Sequence, residues 1–303
     1  MNILVTGGAG FIGSHLVERL VKENHKVVVV DNLSTGNLDF IKGLPVTFEP
    51  LDITKDLSIL FESYRFDCVY HLAAQINLRT SFEQPSFDAQ MNIVGSLNVI
   101  DNCVKHNVSK FVFASSGGAI YSSEALQPYV ETSMIDPASP YGLAKFTVER
   151  YLEIFKQKNS LNFACLRYGN VYGPRQNSKS EAGVISIFFQ KAKENQDLLI
   201  FGSGKQTRDF IYVDDVVEAN VLALQQDIRG SFNVATGVTT DVNKLADDIL
   251  RITASASNVI HQAPIAGELL HSCLSYEKLN TLTGWAPKHS IDRGLQLTAN
   301  YWK

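Results

Sequence analysis

The chain has 303 residues, 45% of them hydrophobic and 19% charged, with a formal net charge of −4. That length holds one large α/β domain or two domains sharing a cleft. Mild acidity without a long basic tract argues against a nucleic-acid partner, and no apolar run reaches the ~18 residues that a bilayer span needs.

In chain order, the first element is an apolar strand, Asn2–Thr6, that runs into Thr6-Gly7-Gly8-Ala9-Gly10-Phe11-Ile12-Gly13 and then a helical pattern over 11–23. Strand, glycine turn and helix in this order suit a dinucleotide. The glycines permit a tight turn and close approach of the pyrophosphate, and the helix N-terminus offers unpaired N–H donors. A second strand, 26–31, carries Val27-Val28-Val29-Val30 and ends in Asp31, 18 residues after Gly13. A carboxylate there accepts hydrogen bonds from an adenosine ribose and repels a 2′-phosphate. No Lys or Arg follows until Lys42, and Asn32, Ser34, Thr35 and Asn37 are neutral, so the expected cofactor is NAD rather than NADP.

Further strands are expected at 46–49, 68–73, 110–115 and 162–168, with helices near 55–64, 87–106 and 140–158. Such alternation specifies an α/β fold, a doubly wound (Rossmann-type) parallel sheet with its ligand crevice outside the carboxyl ends of the strands. Asp31, Asp52, Gln75, Ser115, Ser116 and Asn170 all follow strand ends. After residue 170 the rhythm breaks into glycine- and proline-marked loops. We expect a cofactor domain over 1–170, to which 208–236 returns, and a smaller α/β substrate domain built from 171–207 and 237–303.

Ser139-Pro140-Tyr141-Gly142-Leu143-Ala144-Lys145 opens the helix near 140 with a good N-cap and a proline at the first helical position. Tyr141 and Lys145, four apart, share one face. Alone, such a pair is commonly a solvated helix face. Behind a dinucleotide turn and a Ser-Ser strand end, the favoured reading is catalytic. A nearby ammonium, with the positive ring of an oxidised nicotinamide, is expected to lower the phenol pKa and make Tyr141 a general base for an alcohol/ketone couple.

These segments, together with Asp31-Asn32-Leu33, His71-Leu72-Ala73-Ala74 and Arg208-Asp209-Phe210-Ile211-Tyr212-Val213-Asp214-Asp215, stand in the order of the extended short-chain dehydrogenases/reductases. Within them the chain most resembles the UDP-glucose 4-epimerase group of NAD-dependent nucleotide-sugar epimerases and dehydratases. The resemblance implies NAD held by Gly7, Gly10, Phe11, Ile12, Gly13, Asp31, Asn32, Asp52, Ile53, Leu72, Ala73, Ala74, Asn92, Ser115, Tyr141, Lys145 and Tyr168. It implies Tyr141 as the base for the sugar 4-hydroxyl, a transient 4-keto sugar, and Asn170 and Arg208 on the diphosphate or nucleoside. It also implies a homodimer paired through the helices near 87–106 and 140–158.

Two departures stand out. The strand end reads Ser115-Ser116-Gly117-Gly118-Ala119-Ile120-Tyr121. Aligned on Ile120-Tyr121, the family's catalytic hydroxyl falls on Gly117. Counted 25 residues back from Tyr141, it falls on Ser116, which is preferred here, with Ser115 second. Dehydratases carry an Asp-Glu pair where this chain has Gly117-Gly118, which disfavours dehydration. Near the C-terminus, Ile265 stands where the family places a diphosphate-binding arginine, with Lys205, Arg175 and Lys179 as substitutes. Counting from the substrate-side acid Glu268, Ser272 takes the position beside the sugar C2 substituent, where a small side chain admits an acetamido group.

The expected activity is thus NAD-dependent 4-epimerisation of a nucleotide sugar of the UDP-glucose/UDP-galactose type, with UDP-GlcNAc/UDP-GalNAc as a further pair. A decarboxylase, dehydratase or reductase of the same fold is the alternative, and a non-catalytic NAD-binding regulator is a third reading. Cys68, Cys103, Cys165 and Cys273 are scattered with no metal-ligand spacing, so no metal is expected. They read as small buried hydrophobes of a reducing compartment, and with a strand so near the first residue the expected location is cytoplasmic.

Overall fold

The computed structural model describes residues 1–159, 161–178, 183–264 and 269–302. In chain order its strands are β1 (Asn2–Thr6), β2 (Lys26–Val30), β3 (Thr47–Glu49), β4 (Cys68–His71), β5 (Lys110–Ser116), β6 (Phe163–Tyr168) and β7 (Asn170–Tyr172). There follow β8 (Leu198–Phe201), β9 (Thr207–Tyr212), β10 (Gly230–Val234), β11 (Thr239–Asp241), β12 (Val259–Gln262) and β13 (His271–Ser272). Seven of them form one parallel sheet in the order β10-β6-β5-β4-β1-β2-β3. The order reverses between β4 and β1, and the crevice at such a switch point receives the ligand.

Both faces of this sheet are covered, which is why its strands read as near-continuous apolar runs. Val27 and Val29 pack into one core with the Phe11–Lys22 and Val213–Gln225 helices, while Val28 and Val30 pack into a second with Val99, Ile100, Val148 and Leu152. Alternate side chains of one strand therefore anchor helices on opposite faces.

The Pro140–Asn159 helix starts where its cap sequence places it: Ser139 Oγ accepts the Gly142 N–H at 3.1 Å. The helix expected over 87–106 is less regular. It opens as Pro85–Ala89, passes through a π turn at Gln90–Val94 and continues as Gly95–Lys105, behind a short helix at Leu78–Glu83 that the pattern did not single out. The π turn buries Asn92 and lies beside the cofactor crevice, as such bulges often do. The strand expected over 68–73 stops at His71, because Leu72 and Ala73 turn their N–H groups onto Thr6.

The smaller sheet centres on β9, which pairs with β7, β11 and β13; β8 and β12 form a separate parallel pair. Within 208–236, β9 lies in this smaller sheet, while β10 adds to the edge of the large one beside β6. Cys68, Cys103 and Cys165 are buried, and Cys273 is half-buried.

Candidate active site

Gly7 adopts φ +70° and donates its N–H to Val30 O at 2.8 Å. A Cβ there would lie 2.6 Å from Ala73 N, and one on Gly13 would drive into Gly7 O. Only glycine fits at both, which leaves an open backbone cradle. Gly10 caps the Phe11–Lys22 helix with no side-chain acceptor, so the N–H groups of Phe11, Ile12 and Gly13 have no intrahelical partner. Such a terminus suits a pyrophosphate. Beside it, Asp31 accepts the Ala9 N–H at 3.0 Å on one oxygen and the Leu33 N–H at 2.8 Å on the other. Each oxygen keeps a lone pair for a ribose hydroxyl, and burial raises the carboxyl pKa against the pull of those two donors. Asn32 donates to Asp52 at 3.0 Å, tying two more expected contacts together at the rim. Leu72, Ala73 and Ala74 form a half-buried ledge across from the cradle. These residues fit a dinucleotide whose ribose carries no 2′-phosphate.

The reacting groups lie at the carboxyl ends of β5 and β6. The Ser116 hydroxyl faces the Tyr141 phenol and pulls its pKa down, and Lys145 Nζ lies 5.8 Å from the Tyr141 ring centroid and donates to Ala114 O at 2.9 Å. Ser115 points the other way, donating to the buried Glu149 at 2.5 Å, so it offers no side chain to either cofactor or substrate. Gly117 is buried and carries no hydroxyl, and a Cβ on it would drive into Leu274 Cδ2. Of the three candidates, Ser116 faces the tyrosine.

The lowered phenol pKa expected from the Tyr-Lys pair is not present in the protein alone. Burial pushes the Tyr141 phenol up to about 12, outweighing the pull of the Ser116 hydroxyl, and the Asp88 carboxylate adds to the rise. Burial also brings the Lys145 ammonium down to about 8, with Asp88 holding it up. Nothing in the protein alone offsets that burial, so the base needs further positive charge when the cofactor binds.

On the substrate side, Asn170 begins β7 opposite Phe210, and its amide oxygen lies 3.7 Å from where a Gly118 Cβ would be. Asn170 has no side-chain hydrogen-bond partner among the described residues. Arg208 sits on β9 between Thr240 and Ser272 and donates to the carbonyls of Thr207 and Leu270. Ser272 is not the open pocket wall that was expected. It is 1% exposed, packed inward from β13, and its hydroxyl finds no partner among the described residues. Glu268, Ile265 and Lys179 lie outside the described residues. Arg175 is committed elsewhere, bonded to Glu18 at 2.8 Å and to Ser14 at 3.3 Å, whereas Lys205 is exposed.

Three expected cofactor side chains are engaged within the protein. Tyr168 donates to Asn220 at 3.0 Å and is buried, leaving only its backbone, paired with Ser116, toward the crevice. Ile53 packs into the core under Gly95. Asn92 uses both amide hydrogens, on Gln75 O at 2.9 Å and on Asp88 at 3.0 Å, and accepts the Gln75 N–H at 2.9 Å. It braces the ledge rather than projecting from it. The residues that sequence reading missed are the braces themselves, Asp88, His71 and Ser96. The Asp88/Asn92 spacing of one helical turn was the available signal.

Over residues 3–235 the chain matches the NAD dependent epimerase/dehydratase family. It is 43% identical over 302 residues to the putative UDP-glucose 4-epimerase of Methanocaldococcus jannaschii, covering 99% of this chain and 98% of that one. It is also similar to the solved UDP-glucose 4-epimerase of Thermotoga maritima with UDP-glucose, at TM-score 0.96 and 42% identity over 100% of this chain and 98% of that one. The Thermus thermophilus UDP-glucose 4-epimerase in complex with NAD superposes at TM-score 0.95 and 38% identity, over 100% and 99%. With relatives that align end to end and a family match across the cradle, the reacting groups and β9, the chain belongs to the NAD dependent epimerase/dehydratase family.

Proposed function

We propose that this chain is an NAD-dependent nucleotide-sugar 4-epimerase that interconverts UDP-glucose and UDP-galactose. The observation that carries the reading is the grouping of Ser116, Tyr141 and Lys145, set where the sheet's carboxyl edge meets a backbone cradle only glycine can form. When bound, NAD supplies a reversible hydride acceptor for the sugar C4. Tyr141 takes the proton of the 4-hydroxyl and Ser116 donates a hydrogen bond to the 4-oxygen, which steadies it as it becomes a carbonyl. With its phenol at about 12, only about one Tyr141 in 10⁵ would be ionised at neutral pH. The Lys145 ammonium and the cofactor's positive ring together supply the charge that the base requires.

Asn170 and Arg208 hold the diphosphate end, so that the 4-keto sugar can turn while its nucleotide stays fixed. Tyr141 then returns the proton as the opposite face is reduced. Gly117 and Gly118 place no acid after Ser116, so water is not expelled from C5–C6. Incubation with UDP-, dTDP-, GDP- and CDP-hexoses, with and without added NAD, tests the reading. It predicts UDP-glucose/UDP-galactose interconversion, and it fails if no sugar nucleotide is epimerised at C4.

The same reading includes a homodimer. Leu78, Phe82, Phe87 and Val94 are exposed beside Leu143, Tyr151 and Ile154 on helices that pack together, more apolar surface than a free helix face carries. Light scattering at micromolar concentration should give twice the chain mass, and a monomer would count against it.

A further inference from the structure

Asp88 is a buried carboxylate beside the reacting groups that the proposed chemistry leaves unused. It is 1% exposed, on the short Pro85–Ala89 helix that packs against the Pro140–Asn159 helix carrying Tyr141 and Lys145. Its Oδ1 accepts from Gln75 Nε2 at 2.8 Å and from Asn92 Nδ2 at 3.0 Å. Asn92 in turn grips the Gln75 backbone by both N–H and C=O, each at 2.9 Å.

A second chain of hydrogen bonds reaches Asn92 from the far side of the ledge. Ser96 Oγ donates to Asn92 O at 2.6 Å, which fixes the order of the rest. His71 Nε2–H donates to Ser96 Oγ at 2.8 Å, so Nδ1 is the acceptor and takes the Thr6 hydroxyl at 2.7 Å. Thr6 Oγ1 accepts the Ala73 N–H at 3.3 Å. That assignment holds because His71 is neutral: burial and the nearby Lys145 charge bring its pKa down to about 3.

The groups facing Lys145 are the Ala114 carbonyl and Phe113 ring from β5, Tyr141 from its own helix, neutral His71 from β4, and Asp88. Asp88 is the carboxylate in those surroundings among the described residues. The geometry points to Asp88 as a positioning residue for the epimerisation proposed above, on which this inference rests. Its carboxylate clamps Asn92 and Gln75, and through them the cofactor ledge at 72–75, and from the helix packed against that of Lys145 it sets a buried negative charge on the ammonium's side.

The test is a ¹³C NMR titration of the lysine ε-carbons in the full chain, with Lys145 assigned by its loss in Lys145→Met. Asp88→Asn, which keeps the shape and removes the charge, should move the Lys145 midpoint about one pH unit lower. Gln75→Ala, which loosens the ledge without changing charge, should leave that midpoint in place. Both should weaken NAD binding by equilibrium dialysis about tenfold, the loss of one charge-assisted hydrogen bond. Asp88→Glu should restore most of the midpoint. In turnover, the whole pH profile of Asp88→Asn should shift to lower pH, because Asp88 raises the pKa of both Tyr141 and Lys145. An unmoved Lys145 midpoint in Asp88→Asn, or an equal displacement in Gln75→Ala, would overturn the proposal. If no sugar is turned over, the titration and NAD binding still decide the role of Asp88, while the epimerase reading fails separately.

Discussion

Replacing Gly117 by alanine tests how tightly the turn after β5 packs on Leu274. Gly117 opens the single turn Gly117–Ile120, and an added Cβ would drive into Leu274 Cδ2 while lying 3.3 Å from Leu274 Cγ and from Arg167 O. Leu274 is 0% exposed, packed with Ile120, Tyr121, Tyr129 and Ala235, and its N–H is held by Asp209 at 3.3 Å. The side chain therefore has no space to swing into and the backbone is tethered. Helix propensity favours alanine by at most about 1 kcal/mol, whereas overpacking a tight core costs about 1–3 kcal/mol. The net expectation is a loss of about 1–2 kcal/mol. Urea unfolding of the wild type, Gly117→Ala, Leu274→Ala and the double variant measures it. Leu274→Ala alone should cost about 2–5 kcal/mol. Because it also opens the space, the second alanine should cost less in the double variant, a coupling of about 1 kcal/mol. A Gly117→Ala protein as stable as the wild type, or strictly additive effects, would refute the clash.

Tyr141→Phe should lower turnover at least ~10²-fold while NAD binding stays near the wild-type level, since only the proton-transfer group is lost; a variant keeping more than about a tenth of the rate would place the base elsewhere. Asp31→Ala should narrow the preference for NAD over NADP in a direct binding assay, by removing a ribose acceptor and a repulsive charge together. Tighter NADP binding by the unaltered chain would contradict that role. Ser272→Tyr should lower the ratio of kcat/KM for UDP-GlcNAc to that for UDP-glucose, because the larger side chain has no room inside the wall and must displace the β13–β9 edge that carries Arg208. An unchanged ratio in a folded variant would remove Ser272 from sugar selection.

What was legible in the sequence is what local chemistry dictates. The glycine turn, the valine run ending at Asp31 and the Ser139-Pro140 cap each announce a backbone conformation, and each lies where expected. Side-chain direction was not legible. Tyr168 and Ser115 sit on strands whose two faces are both buried, so pattern alone does not say which one turns to the crevice, and both turn to polar partners in the core. The π turn at Gln90–Val94 has no marker in the sequence, and it carries Asn92, whose amide is spent on Gln75 and Asp88. The raised Tyr141 pKa escaped for a different reason. Charge spacing along a helix can be read from sequence, but desolvation is set by everything packed around it.

The most direct test of the central claim is the fate of the hydrogen at C4. UDP-galactose deuterated at C4, incubated with the purified chain in ordinary water, should yield UDP-glucose that keeps its deuterium at C4, since the same hydride leaves and returns. Tyr141→Phe should leave the substrate unchanged. Conversion with loss of deuterium to solvent, or no conversion of the substrate at all, would contradict the account.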